Sequence, residues 1–229
     1  MFVKSYCSAI SGIEATTVAV EVNITAGVGM YLVGLPDNAV RESQERIRSA
    51  FDNCEYRMSG RKVTVNLSPA DLRKEGSAYD LPIAIAILAA SGQIIAPNLS
   101  RYMLLGELSL NGAILPIKGA LPIAIQAQKE GFAGIILPEA NAHEAAVVQG
   151  LDVYGVKTLN EVIDFLQGGT QLSPLKIDIE RTFAAAQYAF DYAFSDVRGQ
   201  TQVKRALEVA AAGGHNVLMV GPPGSGKTM

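Results

Sequence analysis

The sequence predicts a mixed α+β (α/β) fold, in which short strands alternate with helices along one chain. Three observations support this class. Apolar residues make up 49% of the 229 residues and charged residues 18%, so the chain can bury a sizeable core. Runs of β-branched residues, typical of strands, recur between segments with helical spacing. The longest apolar run, residues 81–90, is too short to cross a bilayer, which takes ~20 residues, so we expect no contact with a membrane.

The first predicted elements are strands that flank one amphipathic helix. Residues 12–23 are β-branched and partly alternating, and a shorter strand is predicted at 31–36. Asp37 or Asn38 can cap the helix that follows, because a short polar side chain accepts from the free N–H groups of a first turn. Residues 62–69 are predicted to form the next strand.

Residues 73–92, RKEGSAYDLPIAIAILAASG, combine a glycine turn with a long apolar helix. Asp80 can serve as the N-cap, and Pro82 lies in the first turn, where its missing N–H costs nothing. The helix at 81–91 is apolar on nearly all sides, so we expect it to be buried against a sheet.

The rest of the chain continues the alternation and then changes character. The predicted elements are a tight hairpin turn at Asn111-Gly112, helices at 120–129, 142–149 and 159–167, and strands at 134–138 and 152–156. We predict a first domain over 1–168, a linker over 169–194 and a second domain that begins at 195 and includes residues 195–229.

Neither the net charge nor the cysteines and histidines indicate a nucleic-acid-binding protein or a metalloprotein. The net charge of −3 does not favour nucleic-acid binding by bulk charge. Residues 41–74 nevertheless carry a local excess of basic side chains, for which a solvated helix face and its flanking strand is the favoured interpretation. The cysteines and histidines show no disulfide or metal-ligand spacing, so we expect a reduced protein without a metal of its own; they are Cys7, Cys54, His143 and His215.

A phosphate-binding pattern stands at the end of the chain. The segment satisfies G-x-x-x-x-G-K-[ST] in full and consists of Gly221, Pro222, Pro223, Gly224, Ser225, Gly226, Lys227 and Thr228. Glycines let successive backbone N–H groups surround phosphate oxygens. Lys227 would reach the β- and γ-phosphates of ATP, and the Thr228 hydroxyl would bind Mg²⁺. A strand at 216–220 and a helix at 200–212 are predicted upstream of this loop.

Several long motifs resemble one known family. Residues 195–229, SDVRGQTQVKRALEVAAAGGHNVLMVGPPGSGKTM, closely resemble the Mg-chelatase-like branch of AAA+ ATPases. The upstream stretches YLVGLPDNAVRESQERIRSA, NLSPADLRKEGSAYDLPIAIAILAASG and GELSLNGAILPIKGALPIA resemble the ComM/YifB family within that branch. The resemblance covers nearly the whole chain, with the motifs in the expected order.

This resemblance implies a ribosomal protein S5 domain 2-like N-terminal domain, followed by the beginning of a P-loop AAA+ α/β domain. It implies a cytoplasmic bacterial protein that binds ATP and Mg²⁺, forms a homo-hexamer when full-length and moves branched or single-stranded DNA in recombination or transformation. The Walker B carboxylate and sensor residues of such ATPases are not found in these 229 residues, so we expect this piece alone to be inactive. By the same resemblance, Val197, Gly199 and Gln200 would lie near the adenine, or else form a plain helix-entry turn.

The fold family also includes the proteolytic domain of Lon, which uses a Ser/Lys dyad. In this sequence Ala78 stands at the position of the nucleophile and Leu121 at that of the lysine, so no catalytic residue is assigned. Ser77 and Lys118 lie one and three residues away from those positions, and a displaced dyad would need them. We therefore expect a Lon-like fold without peptidase chemistry.

The leading hypothesis is an ATP-driven motor that remodels DNA. If the first domain contacts DNA, the candidate residues are Arg46, Arg48, Arg61 and Lys62. The alternatives that stay open are an ATP-dependent Ser/Lys peptidase, the motor subunit of a magnesium chelatase, and an assembly domain without catalysis.

Overall fold

The computed structural model describes residues 1–169, 171–178 and 193–224, which fall into two compact units. The first unit is Met1–Ile177 and the second is Asp178–Met229. The segment 171–177 packs with the first unit, because the Leu175 N–H donates to the Val153 carbonyl at 2.8 Å. Leu172, Leu175 and Ile177 also lie against the core of that unit.

The first unit alternates strands and helices. The strands are β1 (Phe2–Ser11), β2 (Glu14–Thr25), β3 (Met30–Val33), β4 (Lys62–Ser68), β5 (Tyr102–Leu104), β6 (Glu107–Leu108), β7 (Ile114–Leu115), β8 (Gly134–Pro138) and β9 (Asp152–Val156). The helices are α1 (Asn38–Asn53), α2 (Asp80–Ser91), α3 (Ala120–Lys129), α4 (Glu139–Ala145) and α5 (Leu159–Leu166), with a 3₁₀ turn at Leu99–Arg101.

Seven strands form one mixed sheet in the order β3-β4-β2-β1-β5-β8-β9. The pairs β1–β2 and β2–β4 are antiparallel, whereas β3–β4, β1–β5, β5–β8 and β8–β9 are parallel. β6 and β7 form a separate hairpin whose loop contains Asn111 and Gly112. The predicted mixed α/β class is therefore confirmed, and no helix of the described residues is long and apolar enough to cross a membrane.

The core lies between one face of this sheet and α2. Every residue from Asp80 to Ala90 is buried, as expected for a helix that is apolar on all sides. Alternate residues of β4 are buried, namely Val63, Val65 and Leu67, because successive side chains of a strand point to opposite faces. The Ser5 hydroxyl donates to the Pro82 carbonyl at 3.1 Å and so links β1 to the first turn of α2.

The first strand, β1, is absent from the sequence-based predictions. Its buried positions include Ser5 and Ser8, so the apolar alternation that indicates a strand is interrupted. Both hydroxyls are satisfied inside the protein, Ser5 by Pro82 and Ser8 by the Thr16 carbonyl at 3.0 Å. Tertiary hydrogen bonds, which the sequence does not reveal, therefore make these polar residues compatible with a central strand.

Two helix starts differ from the predictions. Asp80 is not the N-cap of α2, because Tyr79 holds that position and Asp80 is the first helical residue. Its carboxylate is used in a buried ion pair instead of a cap. The helix predicted at 142–149 is α4, which begins at Glu139 directly after Pro138. Proline is compatible with a helix start. The polar residues Glu139 and Asn141 interrupt the apolar spacing by which the start of this helix would be predicted.

The described part of the second unit contains one helix, α6 (Thr201–Gly213), which confirms the helix predicted upstream of the glycine-rich loop. Gly214 ends it in the left-handed conformation. Residues 216–220 form no strand in the described residues, and Leu218 and Val220 are exposed. A strand needs a neighbour to satisfy its N–H and C=O groups, and the described residues of this unit supply none.

Candidate functional site

The glycine-rich segment at the end of the chain lies partly within the described residues. Gly221, Pro222, Pro223 and Gly224 are described, whereas Ser225, Gly226, Lys227 and Thr228 lie outside them. Gly224 has a φ of 80°, and a Cβ built on it would meet no atom within 4 Å. This conformation favours glycine, and it leaves the backbone of the loop accessible. ATP and Mg²⁺ binding by the segment stays a prediction.

The three residues predicted near the adenine lie in the turn that begins α6. Gly199 and Gln200 both have a positive φ, and the Gln200 carbonyl accepts the first helical hydrogen bond from the Lys204 N–H at 3.0 Å. The Lys204 ammonium donates to the Val197 carbonyl. These bonds describe a well-defined helix-entry turn, and a role of Val197, Gly199 or Gln200 in nucleotide binding stays a prediction.

The positions of the Lon-type dyad carry side chains without a titratable group. Ala78 directly precedes Tyr79, the N-cap of α2, and its carbonyl accepts from the Gly106 N–H at 3.0 Å. Leu121 lies in the first turn of α3, where its N–H donates to the Glu144 carboxylate at 3.0 Å. Neither side chain can attack a carbonyl or accept a proton.

The nearby Ser77 and Lys118 have different environments. The Ser77 hydroxyl donates to the Glu107 carboxylate at the start of β6. Lys118 is exposed, and among the described residues its ammonium has no hydrogen-bond or ion-pair partner. The structure therefore places a carboxylate, and not an amine, beside the hydroxyl of Ser77.

A buried ion pair adjoins residues 76–79, which contain Ser77 and which we call the serine turn. The Arg46 guanidinium donates from Nε to Oδ2 of Asp80 at 2.6 Å and from Nη2 to Oδ1 at 3.0 Å. Oδ2 also accepts from the Leu108 N–H at 3.1 Å, and Arg46 Nη2 donates to the Ala39 carbonyl at 2.9 Å. Burial raises the pKa of Asp80, while the guanidinium of Arg46 and the Leu108 N–H oppose that rise. The hydrogen bond to Asp80 raises the pKa of Arg46.

The segment before Ser77 is held by Asp37 and Lys74. Asp37 caps α1 through the Val40 N–H at 2.8 Å, which confirms its predicted role, and its second oxygen accepts from the Gly76 N–H at 3.1 Å. Lys74 is completely buried, and its ammonium donates to the Pro69 carbonyl. Burial lowers the pKa of Lys74. These contacts immobilise the turn, so the groups around Ser77 serve the structure of the loop.

The sequence reasoning missed two of these roles. The sequence could have indicated that Asp80 has a buried partner, because a carboxylate in the first turn of a fully apolar helix is carried into the core and must be neutralised there. Its partner Arg46 lies on another helix, which no local pattern reveals. Lys74 carried no signal of burial, since lysine in a polar turn is normally exposed.

The four basic residues predicted to contact DNA lie in α1 and at or directly before the start of β4. Arg46 and Arg48 belong to α1, and Arg46 is engaged with Asp80 while Arg48 is exposed. Arg61 is exposed and Lys62 begins β4, where its ammonium lies 5.0 Å from the centre of the Tyr31 ring. DNA contact by these residues stays a prediction. No group of three or more His, Cys, Asp or Glu that could hold a metal ion occurs within the described ranges.

Comparison with protein families gives two matches. The family described as subunit ChlI of Mg-chelatase matches residues 20–141, which include the serine turn and four of the seven strands of the large sheet in full. The family described as magnesium chelatase, subunit ChlI, matches residues 193–229, which include α6 and the glycine-rich loop.

Curated relatives cover almost the whole chain. The protein YifB of Escherichia coli is 46% identical over 220 residues, which are 95% of this chain and 42% of YifB. The competence protein ComM of Haemophilus influenzae is 42% identical over 228 residues, 98% of this chain and 44% of ComM. Lon protease 2 of Bacillus subtilis is more distant, at 25% over 169 residues, 70% of this chain and 30% of that protease. The chain therefore spans less than half the length of the YifB and ComM proteins that it matches.

Proposed function

Because this chain belongs to the Mg-chelatase-like family that includes YifB and ComM, we propose that it is part of an ATP-driven motor that remodels DNA in recombination or transformation. The observation that carries the proposal is the complete phosphate-loop pattern at 221–228, inside the region that matches the second family. The competence protein among the relatives supports DNA as the substrate.

The proposed ATP site uses the backbone of the loop and two side chains. The N–H groups of Gly221, Gly224, Ser225 and Gly226 would surround the phosphates, since Pro222 and Pro223 have no N–H. Lys227 would contact the β- and γ-phosphates, and the Thr228 hydroxyl would bind Mg²⁺. Gly224 has a left-handed backbone conformation, in which any other residue would be strained. Such a conformation is compatible with a glycine-rich phosphate loop. Bound Mg²⁺ would neutralise charge on the phosphates. Gly199 and Gln200 would position the base from the turn that begins α6.

The first domain is proposed as a scaffold without peptidase chemistry, with domain limits at 1–168, 169–194 and 195–229. Its compact sheet and the fixed loop around Ser77 suit a module that orders subunits or holds DNA. A ring of six full-length copies would then couple the nucleotide state to movement of the DNA through changes in subunit packing.

The decisive experiment measures ATP hydrolysis by the complete protein with and without branched DNA, beside a Lys227→Ala variant. We expect strong stimulation by branched DNA that is lost in Lys227→Ala, because the lysine stabilises charge on the transferred phosphate. An Arg205→Ala variant, which removes a cation from the exposed surface of α6, is the matched control for loss of a basic side chain from the same unit. A hydrolysis rate that does not respond to DNA would contradict the proposal.

Two other functions also have specific support, and assays on the same purified protein distinguish them from a DNA motor. The distant similarity to a Lon protease favours an ATP-dependent peptidase, which would degrade an unfolded protein. The family descriptions favour a chelatase motor, which would hydrolyse ATP in response to tetrapyrrole-binding partner subunits instead of DNA. Ala78 and Leu121 at the dyad positions weigh against the peptidase.

A further inference from the structure

The sheet of the first unit has a face that points away from α2 and carries polar and aromatic side chains. The strand register places these residues in two rows across β1, β2, β4 and β3, because directly paired residues share a face. One row is Phe2, Asn23, Thr64 and Tyr31, and the other is Lys4, Glu21, Asn66 and Val33. We call these eight residues, together with Lys62, the open face.

The described residues of the first unit leave the open face accessible, whereas the other end of the same sheet face is packed. There, Tyr6 makes an edge contact with Phe132 at 5.3 Å between ring centres, and Thr17 donates to Glu130 at 2.7 Å. On the open face the side chains are accessible: Phe2 is 60% exposed, Tyr31 52% and Val33 46%. Exposed rings and an aliphatic group on a sheet face are typical of an interaction surface and not of a simply solvated one.

Two lysines lie beside aromatic rings on this face. The Lys62 ammonium is 5.0 Å from the centre of the Tyr31 ring, and the Lys4 ammonium is 5.2 Å from that of Tyr6. An ammonium at this distance is attracted by the ring and remains available to an anion. The Lys62–Tyr31 pair thus places a positive charge beside an exposed ring of the open face, whereas Tyr6 belongs to the packed end.

The open face carries two ammonium groups, of Lys4 and Lys62, and one carboxylate, so its net charge is +1. Its one carboxylate, Glu21, accepts from the Asn66 amide at 2.9 Å and lies 3.9 Å from the Lys4 ammonium. Lys62 has no acidic partner among the described residues.

We propose that the open face binds a single strand of nucleic acid, with bases stacked on Tyr31 and Phe2 and with phosphates near Lys62 and Lys4. Strands in a sheet lie about 4.8 Å apart, so Phe2 and Tyr31, three strands apart, are separated by about 14 Å, a span of two or three nucleotides. Stacking on aromatic rings combined with a positive surface is how proteins hold single strands without regard to sequence. The amides of Asn23 and Asn66 between the two rings can bond to base edges.

The proposal rests on the proposed function only in taking nucleic acid as the ligand. It assigns this ligand to the sheet face, so Arg46 and Arg48 of α1 are not needed for binding. An extended peptide added to the edge of β3, or a second copy of the chain on the same face, would use Tyr31 and Val33 but would not depend on phosphate charge.

The test measures the binding of a fluorescent 15-nucleotide thymidine strand to the purified 229-residue chain by anisotropy. We expect Tyr31→Leu to weaken binding about tenfold, because stacking on a ring contributes about 1–3 kcal/mol per base, and Tyr31→Phe to keep affinity within about twofold. Lys62→Gln should weaken binding and reduce its dependence on salt. Lys118→Gln, which removes an exposed lysine at the start of α3, is the matched control and should bind like the unchanged chain.

The outcomes separate this inference from the proposed function. Absence of binding by the unchanged chain, or equal affinity of Tyr31→Leu, Lys62→Gln and the control, would overturn it even if DNA stimulates hydrolysis in the complete protein. Loss of binding in the two variants would support it even if hydrolysis proved indifferent to DNA. Self-association that Tyr31→Leu abolishes, without any oligonucleotide binding, would identify a second copy as the occupant and overturn the assignment. Thermal unfolding of each variant verifies that the fold is retained.

Discussion

Arg46 and Asp80, 34 positions apart, join α1 to the first turn of α2 through two parallel hydrogen bonds of 2.6 and 3.0 Å. Asp80 is fully buried, and the side chain of Arg46 is 19% exposed. A planar guanidinium matches a carboxylate in this two-point geometry, which a lysine could not reproduce. The pair fixes the serine turn, because that turn leads directly into Asp80.

Loss of the guanidinium should destabilise the first unit strongly. In Arg46→Leu the carboxylate of Asp80 stays buried without its partner, which costs about 3–5 kcal/mol in free energy of unfolding. Urea unfolding followed by circular dichroism measures the change. Arg48→Leu is the matched control on the same helix, and because Arg48 is exposed it should lie within about 0.5 kcal/mol of the unchanged chain.

The double variant Arg46→Leu/Asp80→Leu separates pairing from packing. Removal of both charges should recover much of the lost stability, since a buried pair replaced by apolar groups is often neutral. If Arg46→Leu alone unfolds with the same free energy as Arg48→Leu, the pair has no structural importance. A DNA-binding defect of Arg46→Leu would therefore have to be compared with its stability before it is assigned to a lost phosphate contact.

The close approach of β3 to β4 predicts a severe effect of a single methyl group. Gly34 has a φ of 100°, and a Cβ built on it would lie 2.1 Å from the Leu67 carbonyl oxygen. Gly34→Ala should therefore lose about 1–3 kcal/mol from overpacking, with a further ~1 kcal/mol from the left-handed backbone.

Gly12→Ala is the matched control for this glycine. Gly12 also has a positive φ, of 64°, but a Cβ there would meet nothing within 4 Å. Gly12→Ala should therefore lower the free energy of unfolding only by the cost of the left-handed backbone, about 1 kcal/mol. Equal unfolding free energies of the two alanine variants would show that the contact with Leu67 is relieved by a small shift of β3.

Local chemistry allowed part of this fold to be predicted from sequence. The cap at Asp37 and the turn at Asn111-Gly112 follow from side-chain and backbone preferences of a few neighbouring residues. The burial of α2 follows from its apolar character on all sides.

What could not be predicted depends on residues distant in sequence. β1 contains serines whose hydroxyls are satisfied only after α2 and β2 have packed against it. Of the basic residues predicted to contact DNA, Arg46 and Arg48 lie on α1, whereas Lys62 lies on the open face. This separation depends on where β4 lies in the sheet. The phosphate loop is the converse case, because its pattern is evident in sequence while Ser225–Thr228 lie outside the described residues.

The serine turn predicts the absence of serine peptidase activity. The Ser77 hydroxyl is bonded to Glu107, and Ala78 and Leu121 occupy the dyad positions. Ser77→Ala should leave any degradation of unfolded casein by the complete protein unchanged and should cost about 1 kcal/mol of stability or less, since Glu107 is partly exposed to water. Degradation that requires ATP and disappears in Ser77→Ala would revive the peptidase hypothesis. Ser109→Ala, in the β6–β7 loop, is the matched hydroxyl control.

Lys74 predicts a dependence of stability on pH in the alkaline range. Its side chain is fully buried, and burial lowers its pKa below the ordinary value of 10.5. Between the lowered pKa of the folded state and 10.5, the unfolded chain binds more protons than the folded one, so the free energy of unfolding rises with pH in that window. Below the folded-state pKa the ammonium is charged in both states, and the cost of burying it is constant.

Comparison with Lys74→Met isolates this contribution, because methionine fills similar space and does not titrate. The unfolding free energy of the unchanged chain minus that of Lys74→Met should increase as pH rises toward 10.5, by about 1.4 kcal/mol for each unit by which burial lowers the pKa. Lys129→Met, at the exposed end of α3, controls for the loss of a lysine as such. A difference between the chain and Lys74→Met that stays flat from pH 7 to 10.5 would mean that the ammonium keeps as good an environment in the folded protein as in water. The Pro69 carbonyl and nearby Asp71 would then compensate fully for its burial.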